Sequence, residues 1–577
     1  MKILLLCHAF NSLTQRLHVE LRERGHEVTV EFDIHDSLTE EAMALFRPDL
    51  VIAPFLKRAI PESVWRRWRC LIIHPGVKGD RGPSALDWAI LRREPEWGVT
   101  VLEANAVFDA GDIWASRRFP MRETTKGSLY RNETTEAAVA CVFEAIERIS
   151  SGTARSQPLD YSAADVTGRP QPSVRKADRV IDWTQQGGDE ILRRIRSADG
   201  SPGAGGEWLG EQFRFYDAHP EDSLRGSPGQ LIARRNGAVC VGTMDGALWI
   251  GYLRRASEDG LSALKLPAVT VLGREKLTEV PELALSTGRS YRDLWYEEQN
   301  RVGYLHFPFY NGAMGVDHCE RLRGALHGAK SRSIKVIVLL GGPDFFSNGI
   351  HLGVIENATS PAEESWRNIQ AMDDLVLEII DTPDQITISA LDGNAGAGGV
   401  FLALAANQVW ARNGIVLNPH YKGMGNLYGS EYWTYLLPRR TGQDKAMEIA
   451  QARLPVGVPE ALRWSLIDDH FGGNSQDFVA LVRERAERLA ADPALPRLLA
   501  EKRRCRREDE VLKPLADYRA KELEQMKLNF FGFDPSYHIA RYNFIRHVPK
   551  SRTPSYLATH RGPCTQWESK LACDRVH

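Results

Sequence analysis

The chain has 577 residues, 43% of them hydrophobic and 26% charged, which is the balance of an ordinary globular protein. Lys plus Arg total 73 against 75 Asp plus Glu, a net charge of -2, and this excludes the basic excess that a general nucleic-acid binder or a protein held on acidic lipid needs. At about 150 residues per domain the length predicts three to four domains.

No apolar run approaches the roughly 20 residues of a membrane span. The early run ILLLC, Ile3 to Cys7, is too short for a signal-peptide core. The eight cysteines (Cys7, Cys70, Cys141, Cys240, Cys319, Cys505, Cys564 and Cys573) are scattered without a CxxC pair, and no His/Cys cluster has metal-ligand spacing. A cytoplasmic protein with reduced thiols and no metal is expected.

In chain order, KILLLC, HEVTVEF, DLVIAP, CLIIHP and GVTVLEA are short apolar runs alternating with helix-like stretches such as TQRLHVELRERG and PSALDWAILRRE. This pattern predicts a Rossmann-like α/β domain over 1–168, with a parallel sheet covered on both faces. Ligands of such sheets bind at the carboxyl ends of the strands, which points to the loop after CLIIHP. A Pro/Gly break at GRPQPS leads to GQLIARR, AVCVGT and ALWIGYLRR, read as a small β domain of barrel (OB-like) type over 174–282. Strands VGYLHF, IKVIVLLGG and QITISALDG, with helices starting near Asp317 and Glu364, predict a second α/β domain over 290–500. Residues 501–577 read as a charged helical tail that turns aromatic and basic, with the RRCRRE run as a solvated helix face.

Two stretches carry chemistry. In CLIIHPGVKGDRGPSALDWAI, His74 ends a buried strand before a loop containing Gly76, Gly79 and Gly82, and GVTVLEANAVFDAGDIW then places Asp112 at the start of another strand. A carboxylate can orient the imidazole, whose charged form stabilises an oxyanion. A His before Pro-Gly also suits a purely structural loop. In the second stretch, LLGGPDFFSNGIHLGV and QITISALDGNAGAGGVFLALAAN lead a strand into Gly396, Gly398 and Gly399 and then an apolar helix, an arrangement that offers unpaired N–H groups or simply close packing. The spacing is not GxGxxG, so no dinucleotide fold is expected.

The first stretch resembles the folate-dependent formyltransferases, whose pattern is roughly N-x-H-P-S-L-L-P-x-x-R-G-x-x-P-x-x-W-A-I, then G-V-T, then D-x-G-D-I, and the likeness continues through IDWTQQGGDEILRRIRSADGSPGAG into that family's small β domain. The resemblance implies His74 and Asp112 as catalytic residues, with Arg81 and Gly82 near the folate. Ile72 stands where the family has a catalytic Asn, so one oxyanion donor is missing. The second stretch resembles the crotonase (enoyl-CoA hydratase/isomerase) family, with F-x-x-G-x-D-L and N-G-x-x-x-G-G-G-x-E-L-A. It implies an acyl-CoA pocket whose oxyanion hole is the backbone N–H of Ile350 and Gly398. The first hydratase Glu falls on Phe401, and the second region reads NPHYKGMG without a carboxylate, so hydration is not expected. Tyr421 and Glu431 stand in as a proton-handling pair, with packing roles as the alternative. Arg131, Arg541 and Arg546, set among aromatic residues, are read as CoA-binding.

A formyltransferase-like half fused to a crotonase-like half resembles the HypX/HoxX family of [NiFe]-hydrogenase maturation factors over nearly the whole chain. The resemblance implies that CO for the hydrogenase iron is made by transferring the formyl group of 10-formyltetrahydrofolate to coenzyme A and decarbonylating formyl-CoA, with hydrogenase maturation proteins as partners. Two alternatives stand beside it: a 10-formyltetrahydrofolate hydrolase with a CoA-binding regulatory domain, and a non-catalytic one-carbon carrier or scaffold.

Overall fold

A computed structural model describes residues 1–152, 155–256, 263–285 and 288–562. Cys564 and Cys573 lie outside the described residues, and the other six cysteines are free thiols, five of them buried. The chain forms two compact units, Met1–Arg175 joined by the segment from Pro549, and Lys176–Val548.

The first unit is built on a six-stranded sheet of order β2-β1-β3-β4-β5-β6, with β1 Lys2–Cys7, β2 Glu27–Phe32, β3 Leu50–Phe55, β4 Cys70–His74, β5 Glu96–Glu103 and β6 Ile113–Pro120. The first four strands pair in parallel, as their apolar runs predict, and the helix Asp36–Phe46 covers Leu4, Leu6, Val51 and Ala53 on one face. The all-parallel expectation fails at the far side, where β5 is antiparallel to both β4 and β6. The loop Ala104–Asp112 joins β5 to β6 directly, and so short a connection returns the chain antiparallel, whereas β5 runs against β4 although the helix Ala85–Arg92 lies between them in the chain.

In the second unit, β7 Ala204–Trp208, β8 Glu211–Glu221, β9 Leu231–Arg235, β10 Ala238–Gly242 and β11 Ala247–Arg255 form an antiparallel sheet of order β7-β8-β11-β10-β9, with β12 Leu266–Pro267 paired to β11. Trp183, Trp208, Phe213 and Phe215 pack with Ile191 and Ile195 of the helix Gly188–Ala198 to make its core. The pairing is an open path, so strand pairing among the described residues does not close the barrel read from the sequence.

The crotonase-like part has a six-stranded sheet of order β13-β14-β15-β17-β19-β22 and a small sheet of order β16-β18-β20-β21. Its strands are β13 Trp295–Gln299, β14 Val302–His306, β15 Val336–Leu340, β16 Phe345–Ser347, β17 Ile386–Leu391, β18 Asn394–Gly396, β19 Gln408–Arg412, β20 Val416–Asn418, β21 Val456–Gly457 and β22 Asp469–Phe471. Alternation along β15 sends Ile337 and Leu339 toward the helices Val316–Lys330 and Pro361–Ile380, and Val336 and Val338 toward the helix Ser475–Ala491. The tail expected at 501–577 is not an appendage. Leu515, Met526 and Phe530 of the helix Leu515–Phe531 and Tyr537 of the helix Ser536–Ile545 are buried in this unit, and from Pro549 the chain belongs to the first unit.

Candidate active sites

The first site forms at the end of β4. His74 is 4% exposed, and its Nε2 lies 2.8 Å from Asp80 Oδ2 while its Nδ1 lies 3.6 Å from Asp109 Oδ2. The chain must be glycine at Gly76, because a Cβ there would stand 2.4 Å from His74 Nε2 and 2.5 Å from the Asp80 carboxylate. The backbone N–H of Gly82, at φ +118°, donates to Asp109 Oδ2 at 3.1 Å, and Arg81 Nε donates to the carbonyl of Phe108 at 2.9 Å. The glycine loop therefore grips the loop that carries Asp109. Thr100 Oγ1, opposite His74 in the β4–β5 register, donates to the carbonyl of Gly76 at 2.9 Å and fixes the turn.

No hydrogen bond or ion pair joins Asp112 to His74 among the described residues; Asp112 accepts from Ser156 Oγ at 3.2 Å, and its carbonyl takes the N–H of Glu103 where β6 begins. Asp109, three residues earlier in VFDAGDIW, is the carboxylate brought to the ring. Asp80 was missed altogether, although it sits in the same glycine loop; its second oxygen is buried and has no side-chain or backbone partner among the described residues. The hydrogen bond to Asp80 fixes Nε2, and Nδ1, beyond hydrogen-bond distance of Asp109, is the nitrogen that can face a developing oxyanion.

The second site gathers two loops and a turn. β16 ends into Asn348-Gly349-Ile350, where Gly349 at φ +76° donates its N–H to Ser347 Oγ. A Cβ on Gly349 would come within 3.3 Å of Gly398 N, so the two loops meet at this point. Neither the N–H of Ile350 nor that of Gly398 is taken up by an acceptor among the described residues. Ala397, at φ +47° and ψ −127°, turns the chain into the helix Gly398–Leu404.

Tyr421 and Glu431 are brought together. Tyr421 Oη donates to Glu431 Oε2 at 2.5 Å and lies 3.0 Å from the carbonyl of Ser430. The carboxylate rests on Gly398, where a Cβ would be 2.5 Å from Glu431 Oε1. Phe401, on the hydratase Glu position, stacks on the Tyr421 ring at 5.2 Å and 15°. A cavity of about 640 Å³ runs beside Phe401, His420, Tyr421 and Trp433. Burial raises the Glu431 carboxyl to about 7 against the pull of the Tyr421 hydroxyl, and burial followed by the Glu431 charge raises the Tyr421 phenol well above its ordinary value.

The basic residues read as CoA-binding divide. Arg541 is buried, with Nε donating to Glu356 at 2.9 Å and Nη1 2.9 Å from His538, so it is a structural ion pair and not a surface cation. Arg546 approaches the same Glu356 carboxylate at 3.9 Å. Arg131 lies in a single π-helical turn, Tyr130–Thr134, a local irregularity that the sequence pattern did not reveal.

Family models match in the same order as these sites: formyl transferase over residues 32–146, the formyl transferase C-terminal domain over 173–266, and enoyl-CoA hydratase/isomerase over 305–526. The hydrogenase maturation factor HoxX of Bradyrhizobium diazoefficiens is 54% identical over 561 residues, covering 97% of each chain. The chain belongs to the HypX/HoxX family of hydrogenase maturation factors. Within this family, the crystal structure of HypX from Aquifex aeolicus in complex with tetrahydrofolic acid is similar at 48% identity and TM-score 0.94, covering 97% of this chain and 99% of that one. The methionyl-tRNA formyltransferase of Desulfotalea psychrophila is 28% identical over 246 residues, 40% of this chain and 73% of its own. This HypX/HoxX-family chain thus joins formyltransferase-like domains to a crotonase-like domain in which Phe401 stacks on a hydrogen-bonded Tyr421–Glu431 pair. Among the described residues no helix is long and apolar enough to cross a membrane.

Proposed function

We propose that this protein makes carbon monoxide for hydrogenase maturation from 10-formyltetrahydrofolate, with coenzyme A as the carrier. The observation that carries the reading is the buried Tyr421–Glu431 hydrogen bond against Gly398. Folate as the donor is supported by the formyltransferase match and by the tetrahydrofolic acid bound in the Aquifex aeolicus relative.

In the first step the CoA thiolate attacks the formyl carbon, the bond from that carbon to the folate N10 breaks, and N10 takes a proton. His74, oriented by Asp80 with Asp109 beside the ring, stabilises the tetrahedral oxyanion, with Arg81 and Gly82 in the loop beside it. A thiol needs little help to ionise compared with an amine, and with Ile72 in place of the family Asn the oxyanion rests on His74 as the main side-chain electrophile. In the second step the N–H groups of Ile350 and Gly398 hold the formyl oxygen. The C–H bond breaks toward Tyr421, which passes its own proton to Glu431, and the released electron pair completes CO as the C–S bond breaks. The departing thiolate recovers the proton, so formyl-CoA gives CO and CoA with nothing left over. A formyl thioester has no α-carbon, which accounts for the loss of the enolate-forming carboxylates. Of the cations assigned to CoA phosphates, Arg541 is set aside because it is buried on Glu356.

The test is CO release by purified protein given 10-formyltetrahydrofolate with and without CoA, trapped by deoxyhaemoglobin. CO that needs both compounds is the expected result. Formate without CO would replace this reading with the hydrolase.

A further inference from the structure

Glu431 and its neighbour Tyr432 are both in the left-handed region, at φ +62° and +57°, and neither is glycine. Two such residues in succession are strained and persist only where the surroundings impose them. Here two carboxylates do so. Asp373, on the helix Pro361–Ile380, accepts the N–H of Glu431 at 2.7 Å. Glu522, on the helix Leu515–Phe531, accepts the N–H of Tyr432 at 2.9 Å and both the N–H and the hydroxyl of Thr434, at 2.8 and 2.5 Å.

Holding backbone N–H groups does not require charge, since Asn, Ser or Thr does it without the penalty of a buried ion. Yet Asp373 and Glu522 are both 0% exposed and join Glu431 in a cluster of three carboxylates. The other titratable groups around it are Tyr421, Tyr428, Tyr432, Cys319 from the helix Val316–Lys330, Asp374 and Arg519. Arg519 is the cation that faces the cluster, at 3.6 Å from Asp373 and 2.7 Å from Asp374.

We infer that Asp373 and Glu522 are positioning residues of the second site, which hold the left-handed turn and so aim the Glu431 carboxylate at Tyr421. This rests on the decarbonylation reading above. Burial, followed by the charges of Glu431 and Glu522, holds the Asp373 carboxyl well above its ordinary value; burial chiefly raises Glu522 to about 8, with Glu431 adding to it. The cluster therefore shares protons in the neutral range instead of carrying three full charges.

Variants of the full chain test the aim, with chemically prepared formyl-CoA as substrate and CO as readout. Asp373→Ala removes the acceptor for the Glu431 N–H, and the plateau rate is expected to fall about tenfold or more, whereas Asp373→Asn keeps an oxygen there and is expected to hold the rate within about twofold of wild type. Glu522→Ala removes the acceptors for Tyr432 and Thr434, and the plateau is expected to fall about tenfold or more, while formyl transfer from the folate at the first site stays intact. If Glu522→Ala fails to fold, the contrast between Asp373→Ala and Asp373→Asn decides alone. A wild-type plateau in both alanine variants would overturn this inference and leave decarbonylation standing. No CO from the wild type would overturn both.

Discussion

Phe401 and Tyr421 lie face to face where a hydratase keeps a carboxylate, and that exchange decides which reactions the second site can run. Tyr421→Phe removes the proton relay and keeps the stack, so CO formation from formyl-CoA should fall by about 100-fold or more with unchanged folding. CO release should rise with pH through about 7, because the relay needs Glu431 ionised. Stability should run the other way. A carboxyl whose folded value lies above its unfolded value favours the folded state at low pH, and that contribution is lost as pH rises from 4.5 to about 7. Glu431→Gln should therefore abolish CO release and raise the melting temperature at pH 8, read by calorimetry. At the first site, Asp112→Asn, at the carboxylate the resemblance implies as catalytic, should lower formyl transfer by about 100-fold, and Asp109→Asn, beside the His74 ring, should lower it as well. His74 was legible in the sequence because its motif places it, and Tyr421 and Glu431 because they are polar groups near the positions where the hydratase carboxylates are missing. Asp109 was not, since two aspartates three residues apart differ only in how the loop folds back, and Asp80 gave no signal apart from its place among the glycines.

At the scale of elements, the edge strand β2 shows what the chain does after Pro549. Val30 donates to the carbonyl of Leu557 and Phe32 to Thr553 Oγ1, so the late segment takes up N–H groups that an open edge would expose. Beneath it, Glu31 is fully buried against Thr553, His560 and Arg561. Burial alone would raise the Glu31 carboxyl, but hydrogen bonds from His560, Arg561 and Thr553 hold it below its ordinary value. Arg561→Ala leaves that carboxylate with fewer partners and should destabilise the first unit by about 3 kcal/mol, measured by denaturant unfolding. None of this was readable from composition. The solvated face read at RRCRRE does not extend along the charged stretch: Glu522, further on, is fully buried, because a helix shows its burial only once its partners are known. The strands were legible because buried strands are continuous apolar runs. The antiparallel runs of β5 and β6 were not, since strand direction leaves no mark on the apolar pattern.

For the whole molecule, the order of the units was readable because each carries its own family's spaced motifs, and the comparisons place the chain in the HypX/HoxX family over 97% of its length. The division into two compact units was less legible. The chain leaves the first unit after Arg175 and rejoins it at Pro549, and no local pattern announces a return across so many residues. The proposed function sets an order of events for the whole molecule: formyl transfer to CoA in one unit, then decarbonylation in the other. The measurement that tests this most directly supplies formyl-CoA to single-site variants and counts CO. His74→Ala should make no CO from 10-formyltetrahydrofolate and CoA but release it from formyl-CoA at the wild-type rate, while Tyr421→Phe should fail with both. CO from 10-formyltetrahydrofolate in the Tyr421 variant, or none from formyl-CoA in the His74 variant, would contradict the two-site sequence.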